Sequence, residues 1–271
     1  MMEFCYKLLG LPVLASENGR AVDDLIVYIH WLMVALFVGW FGYFIFTLWR
    51  FNAKRNPKAD HHGVRGHASS YIELIVAGLE VVLLCFVAIP LWSKASDVSK
   101  IPDAKDAVVV QLVAQQFNWN FRYAGVDGKF GKQSMDFVTS DNMFGVDPQD
   151  ASGKDDVQVL NEMHVPIGKP VIVYCSSKDV IHSFKVIALR VTQDAIPGMR
   201  IPTWFKPTLI NGKDGKPLPL PYRYQINCAQ LCGNLHSAMK DGLVVVQSQA
   251  DYDAWMAKKS AGAAAGPQSF E

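Results

Sequence analysis

The chain has 271 residues, 19% of them charged, and a formal net charge of +1. Taken over the whole chain, that balance suggests neither nucleic-acid binding nor a polybasic membrane patch. Half of the residues are hydrophobic, and they are unevenly spread along a length that admits one large domain or two smaller ones.

The first sixteen residues, within the N-terminal segment 1–24, lack the basic start of a secretory signal, so the apolar run after that segment is read as a retained span. Leu25 to Trp49 follows with no Asp, Glu, Lys or Arg. A bilayer core takes about 20 apolar residues as a helix, which makes this stretch a transmembrane span. Tyr71 to Trp92 is the second span, apolar apart from Glu73 and Glu80. Between them Arg50, Lys54, Arg55, Lys58 and Arg65 stand against Asp60 alone. By the positive-inside rule the loop 50–70 is cytoplasmic and both termini lie outside. Glu73 and Glu80 are two helical turns apart and share one face. Carboxyls inside a membrane face a protein partner or a wet path.

After Trp92 the pattern changes to short β-branched and aromatic runs. Ala107–Val113, Val157–Leu160, Pro170–Tyr174, Ser183–Leu189, Tyr222–Ile226 and Leu243–Val246 are separated mostly by Gly, Pro, Asn or Asp. This predicts an all-β sandwich or barrel over 93–259. A helix is expected only at Ser248–Lys259, where Ser248 and Asp251 form a capping-box pair. The Ala/Gly/Ser-rich stretch 260–271 reads as a disordered tail. There is no internal repeat, phosphate-cradling glycine loop or Ser/His/Asp constellation.

Near the end of the β region lies Cys228-Ala-Gln-Leu-Cys232-Gly-Asn-Leu-His236-Ser-Ala-Met239, in a chain with five cysteines. Thiolate and thioether are soft ligands, and with imidazole they suit copper better than any hard cation. Two cysteines are enough to bridge two metals, with a second imidazole from elsewhere; His182 in Asp179-Val-Ile-His182-Ser-Phe184 is the candidate. A Cys228–Cys232 disulfide, a zinc site with the two histidines, and a chance cluster remain open on spacing alone. Cys85 and Cys175 read as small buried hydrophobes. The residues before Cys5 do not form a lipoprotein cleavage site. His164 reads as structural, and His61, His62 and His67 as solvated.

Taken together, the two spans, the exported β domain and the Cys-x3-Cys-x3-His-x2-Met loop resemble subunit II of haem–copper cytochrome c oxidases. The resemblance covers nearly the whole chain and implies a two-helix transmembrane hairpin followed by an all-β cupredoxin-like barrel. It implies a binuclear copper A centre of two copper ions bridged by Cys228 and Cys232. His182 and Met239 would complete one copper, and His236 with the Gln230 carbonyl the other. The centre would take electrons from an external cytochrome c or a membrane-bound haem c donor and pass them to haem a of subunit I. Subunit III and membrane lipid are further implied partners, and nucleic acid is not. Phe117, Trp119 and Asp179 fall at the electron-entry and docking face. Asp194, twelve residues after His182, falls at the subunit I interface, and Glu73, seventeen residues before Pro90, at the entrance of a proton path.

Four residues depart from the family pattern. Phe117 stands where the family has the first tryptophan of its aromatic segment. Lys178 stands where an acid is common, and sign reversals of this kind alter electrostatic steering of a basic donor. Gln230 replaces a glutamate that binds magnesium or manganese at the subunit I interface, and an amide offers no negative charge to a hard cation. Glu80 replaces a proline. No Cys-x-x-Cys-His occurs, so the resemblance is not to the form with a fused cytochrome c domain. A quinol oxidase subunit II shares the architecture but lacks the copper ligands. A membrane-tethered copper carrier is the alternative from another class, and favours exposed Met/His clusters over two bridging thiolates.

Overall fold

The computed structural model describes residues 2–58, 61–63, 66–96, 98–212 and 215–263. Asp60 and Arg65 of the basic loop, and residues 264–271 of the expected tail, lie outside the described residues. The chain divides into two compact units, residues 1–11 with 21–96 and residues 12–20 with 97–271.

The first unit is helical. A short helix α1 (Met2–Leu8), not anticipated from the sequence, precedes α2 (Arg20–Arg50). Cys5 and Tyr6 of α1 pack on Val27, and the Tyr6 hydroxyl donates to Asp24. This contact begins α2 five residues ahead of the apolar run. The second apolar helix, α3 (Ala68–Leu83), continues through a π-helical turn, Leu84–Ala88, into α4 (Ile89–Ser96). The turn falls just before Pro90, whose missing N–H interrupts the regular ladder. Both apolar helices, Arg20–Arg50 and Ala68–Ala88, are long enough and apolar enough to cross a bilayer.

The second unit has ten strands among the described residues. These are β1 (Val108–Gln115), β2 (Asn118–Tyr123), β3 (Val157–Leu160), β4 (Glu162–Pro166) and β5 (Val171–Ser177). They continue as β6 (His182–Val186), β7 (Val191–Ala195), β8 (Ile201–Phe205), β9 (Tyr222–Cys228) and β10 (Gly242–Gln247). One sheet runs β3-β2-β1-β5-β8 and the other β4-β10-β9-β6-β7. Each is mostly antiparallel with one parallel pair, β1 with β5 and β4 with β10. Their inner faces share one core that includes Leu112, Trp119, Phe121, Phe184, Phe205 and Ile226. Burial of such side chains is worth about 1.5–3 kcal/mol each, and it carries the stability of this unit.

Helix α5 (Gln249–Ala263) begins where Ser248 accepts from the Asp251 N–H, and runs past Lys259. Trp255 of α5 stacks on His164 with ring centroids 4.3 Å apart, and the His164 ring also reaches Gln247 and Glu162. His164 is a structural residue. So is Cys175, fully buried in β5, with its thiol pushed up by that burial. Residues 12–20, which the sequence pattern groups with the N-terminal segment, are stitched to the β unit. Ala15 N–H donates to the Ala188 carbonyl, Ser16 Oγ to that of Leu189, and Arg190 to those of Pro12 and Val13.

Candidate metal centre

The site grows from the pairing of two neighbouring strands. β6 and β9 run antiparallel with Phe184 opposite Cys228, so the start of one and the end of the other meet at one edge of the sheet. His182 opens β6 and Cys228 closes β9. A hydrogen bond from Ala229 N–H to the Ser183 carbonyl holds the exit of β9 against β6. The chain then loops through Gln230 to Cys232, and a short 3-10 turn, His236–Lys240, returns it to β10.

The ligand atoms of His182, Cys228 and Cys232 lie within 4.8 Å of one another. His182 Nδ1 is 3.9 Å from the Cys228 sulfur, which is 3.8 Å from the Cys232 sulfur. Cys232 is approached by His236 Nδ1 at 3.3 Å and by Met239 Sδ at 3.4 Å. The Cys228 thiol donates to the Gln230 carbonyl at 3.0 Å. His182, Cys232 and Met239 are buried, Cys228 and His236 are half-buried, and Gln230 is exposed. All six residues expected to hold the metal therefore converge.

The two sulfurs, 3.8 Å apart, are not joined as a disulfide, whose bond is about 2.05 Å. They are close enough to share a metal, because two metal–thiolate bonds of about 2.3 Å span at most roughly 4.6 Å. Two thiols, two imidazoles, a thioether and a carbonyl form a soft donor set, so the residues present fit copper.

The electrostatics prepare one thiol and restrain the other. Burial pushes the Cys228 thiol up, but His182 and the backbone of Ser183 and Gln230 outweigh it and bring it down to about 6. Cys232 is pushed up to about 12, first by burial and then by the negative charge on Cys228. The first thiolate forms readily, whereas the second needs a cation beside it.

Asp179 organises the imidazole. His182 Nε2 donates to Asp179 Oδ1 at 2.9 Å, which leaves the Nδ1 lone pair facing the thiols. Burial disfavours charge on His182, but Cys228 and Asp179 more than compensate and raise its pKa. Burial likewise raises Asp179, while the Gln116 N–H and His182 lower it further than burial lifts it. Both carboxylate oxygens are thus engaged within the chain, instead of standing free at a docking face.

Trp119 also differs from expectation. It is fully buried, with its indole N–H donating to the Met239 carbonyl at 2.8 Å, and no docked partner can touch it. Phe117, in the β1–β2 turn, is half-buried and lies over Gly233. Lys178 is exposed, and its ammonium donates to the Thr139 carbonyl at 3.3 Å. Asp194 sits on β7 opposite Ser183, one residue from the Ala195–His182 pair, with its side chain exposed. Glu73 lies on α3 in the other unit and is exposed. The sequence reading missed Gln116 as part of the site, although it stands beside Phe117. Its backbone N–H donates to Asp179 Oδ2 at 2.7 Å.

Residues 108–248 match the family model described as cytochrome c oxidase subunit II, periplasmic domain. The chain belongs to this family. Subunit II relatives extend the match beyond the β unit. The chain is 28% identical over 242 residues to the alternative cytochrome c oxidase subunit 2 of Bradyrhizobium diazoefficiens, covering 89% of this chain and 81% of that one. It is 40% identical over 103 residues to cytochrome c oxidase subunit 2 of Thermostichus vulcanus, 38% of this chain and 28% of that one. Among solved structures it is similar to the crystal structure of the periplasmic domain of subunit II of the Bradyrhizobium japonicum cytochrome oxidase. That likeness has 25% identity and a TM-score of 0.40, and covers 60% of this chain and 98% of the other. Membership of the subunit II family makes the chain part of a cytochrome c oxidase, whose activity belongs to the assembled enzyme.

Proposed function

We propose that this chain is the electron-entry subunit of a haem–copper oxidase, with a binuclear copper A centre held by His182, Cys228, Gln230, Cys232, His236 and Met239. The observation that carries the reading is the convergence of Cys228, Cys232, His236 and Met239 with His182, which lies 46 residues from Cys228 in the chain. Copper bound there supplies a one-electron carrier. The protein supplies two bridging thiols, an imidazole oriented by Asp179, and a wall of packed β structure. That wall leaves little room for movement as charge changes, which favours rapid transfer over metal release. Two adjacent thiols at the mouth of a sandwich, Cys232 buried and Cys228 half-buried, argue against a copper carrier, and the complete ligand set argues against a quinol oxidase subunit.

In this reading electrons arrive from a separate cytochrome c-type donor over the face that carries Phe117, and leave to haem a of subunit I near Asp194. Phe117 and Lys178 change the chemistry of the entry face, and favour a dedicated, membrane-bound haem c donor over a basic soluble cytochrome c. Slow reduction by the soluble protein would support this, and fast, salt-sensitive reduction would reject it. Gln230 offers the interface magnesium or manganese site an amide in place of this chain's carboxylate, so that ion is held weakly or not at all.

The two apolar helices would anchor the chain in a bacterial inner membrane, with both termini on the periplasmic side and the basic loop in the cytoplasm. Glu73 then lies at the cytoplasmic end of the second span, where a carboxylate can gather protons for a path into subunit I. Glu73→Gln should slow proton uptake by the assembled oxidase without altering the copper spectrum.

The deciding experiment is electron paramagnetic resonance of the copper-loaded full chain. A seven-line hyperfine pattern is expected from one unpaired electron shared by two coppers. A four-line pattern would mean a single localised copper, and metal-free protein with a Cys228–Cys232 disulfide would reject electron transfer altogether.

A further inference from the structure

The metal centre is assembled from two arms of the chain that have no peptide continuity near the site. One is the 179–182 segment, which presents His182. The other is the 228–239 loop, which presents the remaining ligands. Gln116 touches both. Its backbone N–H donates to Asp179 Oδ2 at 2.7 Å, and the same carboxylate holds His182 through its other oxygen at 2.9 Å. Its side-chain amide nitrogen donates to the Cys232 carbonyl at 2.6 Å. Gln116 follows directly on β1, in the opposite sheet from β6 and β9, and the rest of the framework fixes its position.

The 228–239 loop is shaped to receive this contact. Gly233 adopts φ +137°, and a Cβ added there would stand 2.8 Å from Gln116 Nε2 and 3.1 Å from the Phe117 ring. Only glycine allows the loop backbone to come this close to the β1–β2 turn. The glycine and the amide are two halves of one contact.

We infer that Gln116 is a positioning residue that clamps the His182 arm to the Cys232 arm and so sets the separation and orientation of the two thiols and the imidazole. It touches no ligand atom and acts through Asp179 and the Cys232 backbone. Groups that orient metal ligands from one shell out typically govern metal affinity by about 10–100-fold. Gln116 is exposed to water, which places its side-chain contribution near tenfold. The inference rests on the copper A reading.

The test uses the full chain loaded with copper, with Gln116→Met and Gly233→Ala as variants. Methionine keeps the length and packing of the side chain and removes the donor. Gly233→Ala pushes the same contact apart without altering Gln116. Three quantities are read: the hyperfine pattern, the midpoint potential, and the rate of copper loss to a chelator. Both variants are expected to lose copper roughly tenfold faster, with unequal hyperfine splitting from the two coppers and a displaced potential. A general loss of folding would lower the melting temperature of the metal-free chain, whereas the clamp leaves that temperature near wild type for Gln116→Met. A normal seven-line wild type whose spectrum, potential and copper release are unchanged by Gln116→Met overturns the clamp alone. A wild-type chain with no shared-electron pattern overturns the copper A reading and the clamp with it.

Discussion

The indole N–H of Trp119 donates to the Met239 carbonyl at 2.8 Å, across the core from one sheet to the loop that carries the ligands of the other. The indole also meets His182 and Phe184 edge-on, with ring centroids 6.3 and 5.9 Å away. Trp119 is therefore the floor of the site: it positions the Met239 backbone and closes the space beneath the imidazole. Trp119→Phe keeps most of the ring and removes the donor. It leaves a buried carbonyl without its partner, which costs about 1–3 kcal/mol. A lower melting temperature and a perturbed copper spectrum are expected together. An unchanged spectrum in the destabilised variant would confine Trp119 to packing.

Cys228→Ser separates bridging from simple coordination. A hydroxyl is a poor ligand for a soft metal, so one sulfur is left at Cys232 and the pair of metals loses its shared bridge. The expected product binds at most one copper per chain and shows four hyperfine lines. Retention of two coppers with seven lines would mean that Cys228 does not bridge, and would remove the central feature of the assignment.

The metal-free chain should show a specific pH dependence. Burial opposes charge on His182, but Cys228 and Asp179 raise its pKa above the ordinary value. A group raised in the folded state stabilises fully below its unfolded pKa of about 6.5, and that contribution is lost as pH rises through the folded value. Asp179 is lowered despite burial, so its own contribution is present above about 3.9 and fades as pH falls. Cys228 acts in the opposite sense: its thiol, brought down to about 6, adds stability as pH rises toward its unfolded value of about 8.5, so in thermal melts of the metal-free chain it offsets the His182 loss over that range. Copper affinity should rise over the same range, because the ligands must give up protons. Asp179→Asn removes the Asp179 part of the His182 effect and leaves that of Cys228, so its melts should gain more stability between about pH 6.5 and 8.5 than wild type; an identical slope in that variant would show that the Asp179–His182 pair carries no pH dependence.

How much of this was legible in the sequence depends on where the information lies. The ligand loop places four donors within twelve residues, so spacing alone exposes it. The strands found from sequence are the β-branched runs. β2 alternates polar and aromatic residues, Asn118-Trp119-Asn120-Phe121-Arg122-Tyr123, but has no β-branched residue, and the burial of its polar face under the β2–β3 connection is not written in that pattern. β8 was missed because Pro202 interrupts it, and such a strand survives only at a sheet edge, where β8 lies. The two contacts of Gln116 span 63 and 116 residues, and no local pattern encodes them. The motif marks Trp119 without saying which way it points: the indole faces the core, whereas Asp179 is exposed with its carboxylate turned to Gln116 and His182.

Arg122, buried on the face of β2 away from the shared core, offers a test of fold stability that leaves the metal centre alone. Its guanidinium pairs with Asp156, with both side chains fully buried. It also donates to Gln111 Oε1 at 3.1 Å and to the Gly131 carbonyl at 2.9 Å, between the rings of Phe130 and Phe144. These contacts tie the long β2–β3 connection to the sheet. Removing one member of a buried ion pair strands the other, at a cost of about 3–5 kcal/mol. Arg122→Met should show that loss in a denaturation curve, and Arg122→Met with Asp156→Leu should recover much of it. The copper spectrum should survive in both under native conditions. A loss below about 1 kcal/mol in the single variant would mean that water already reaches the pair, as it does for exposed salt bridges.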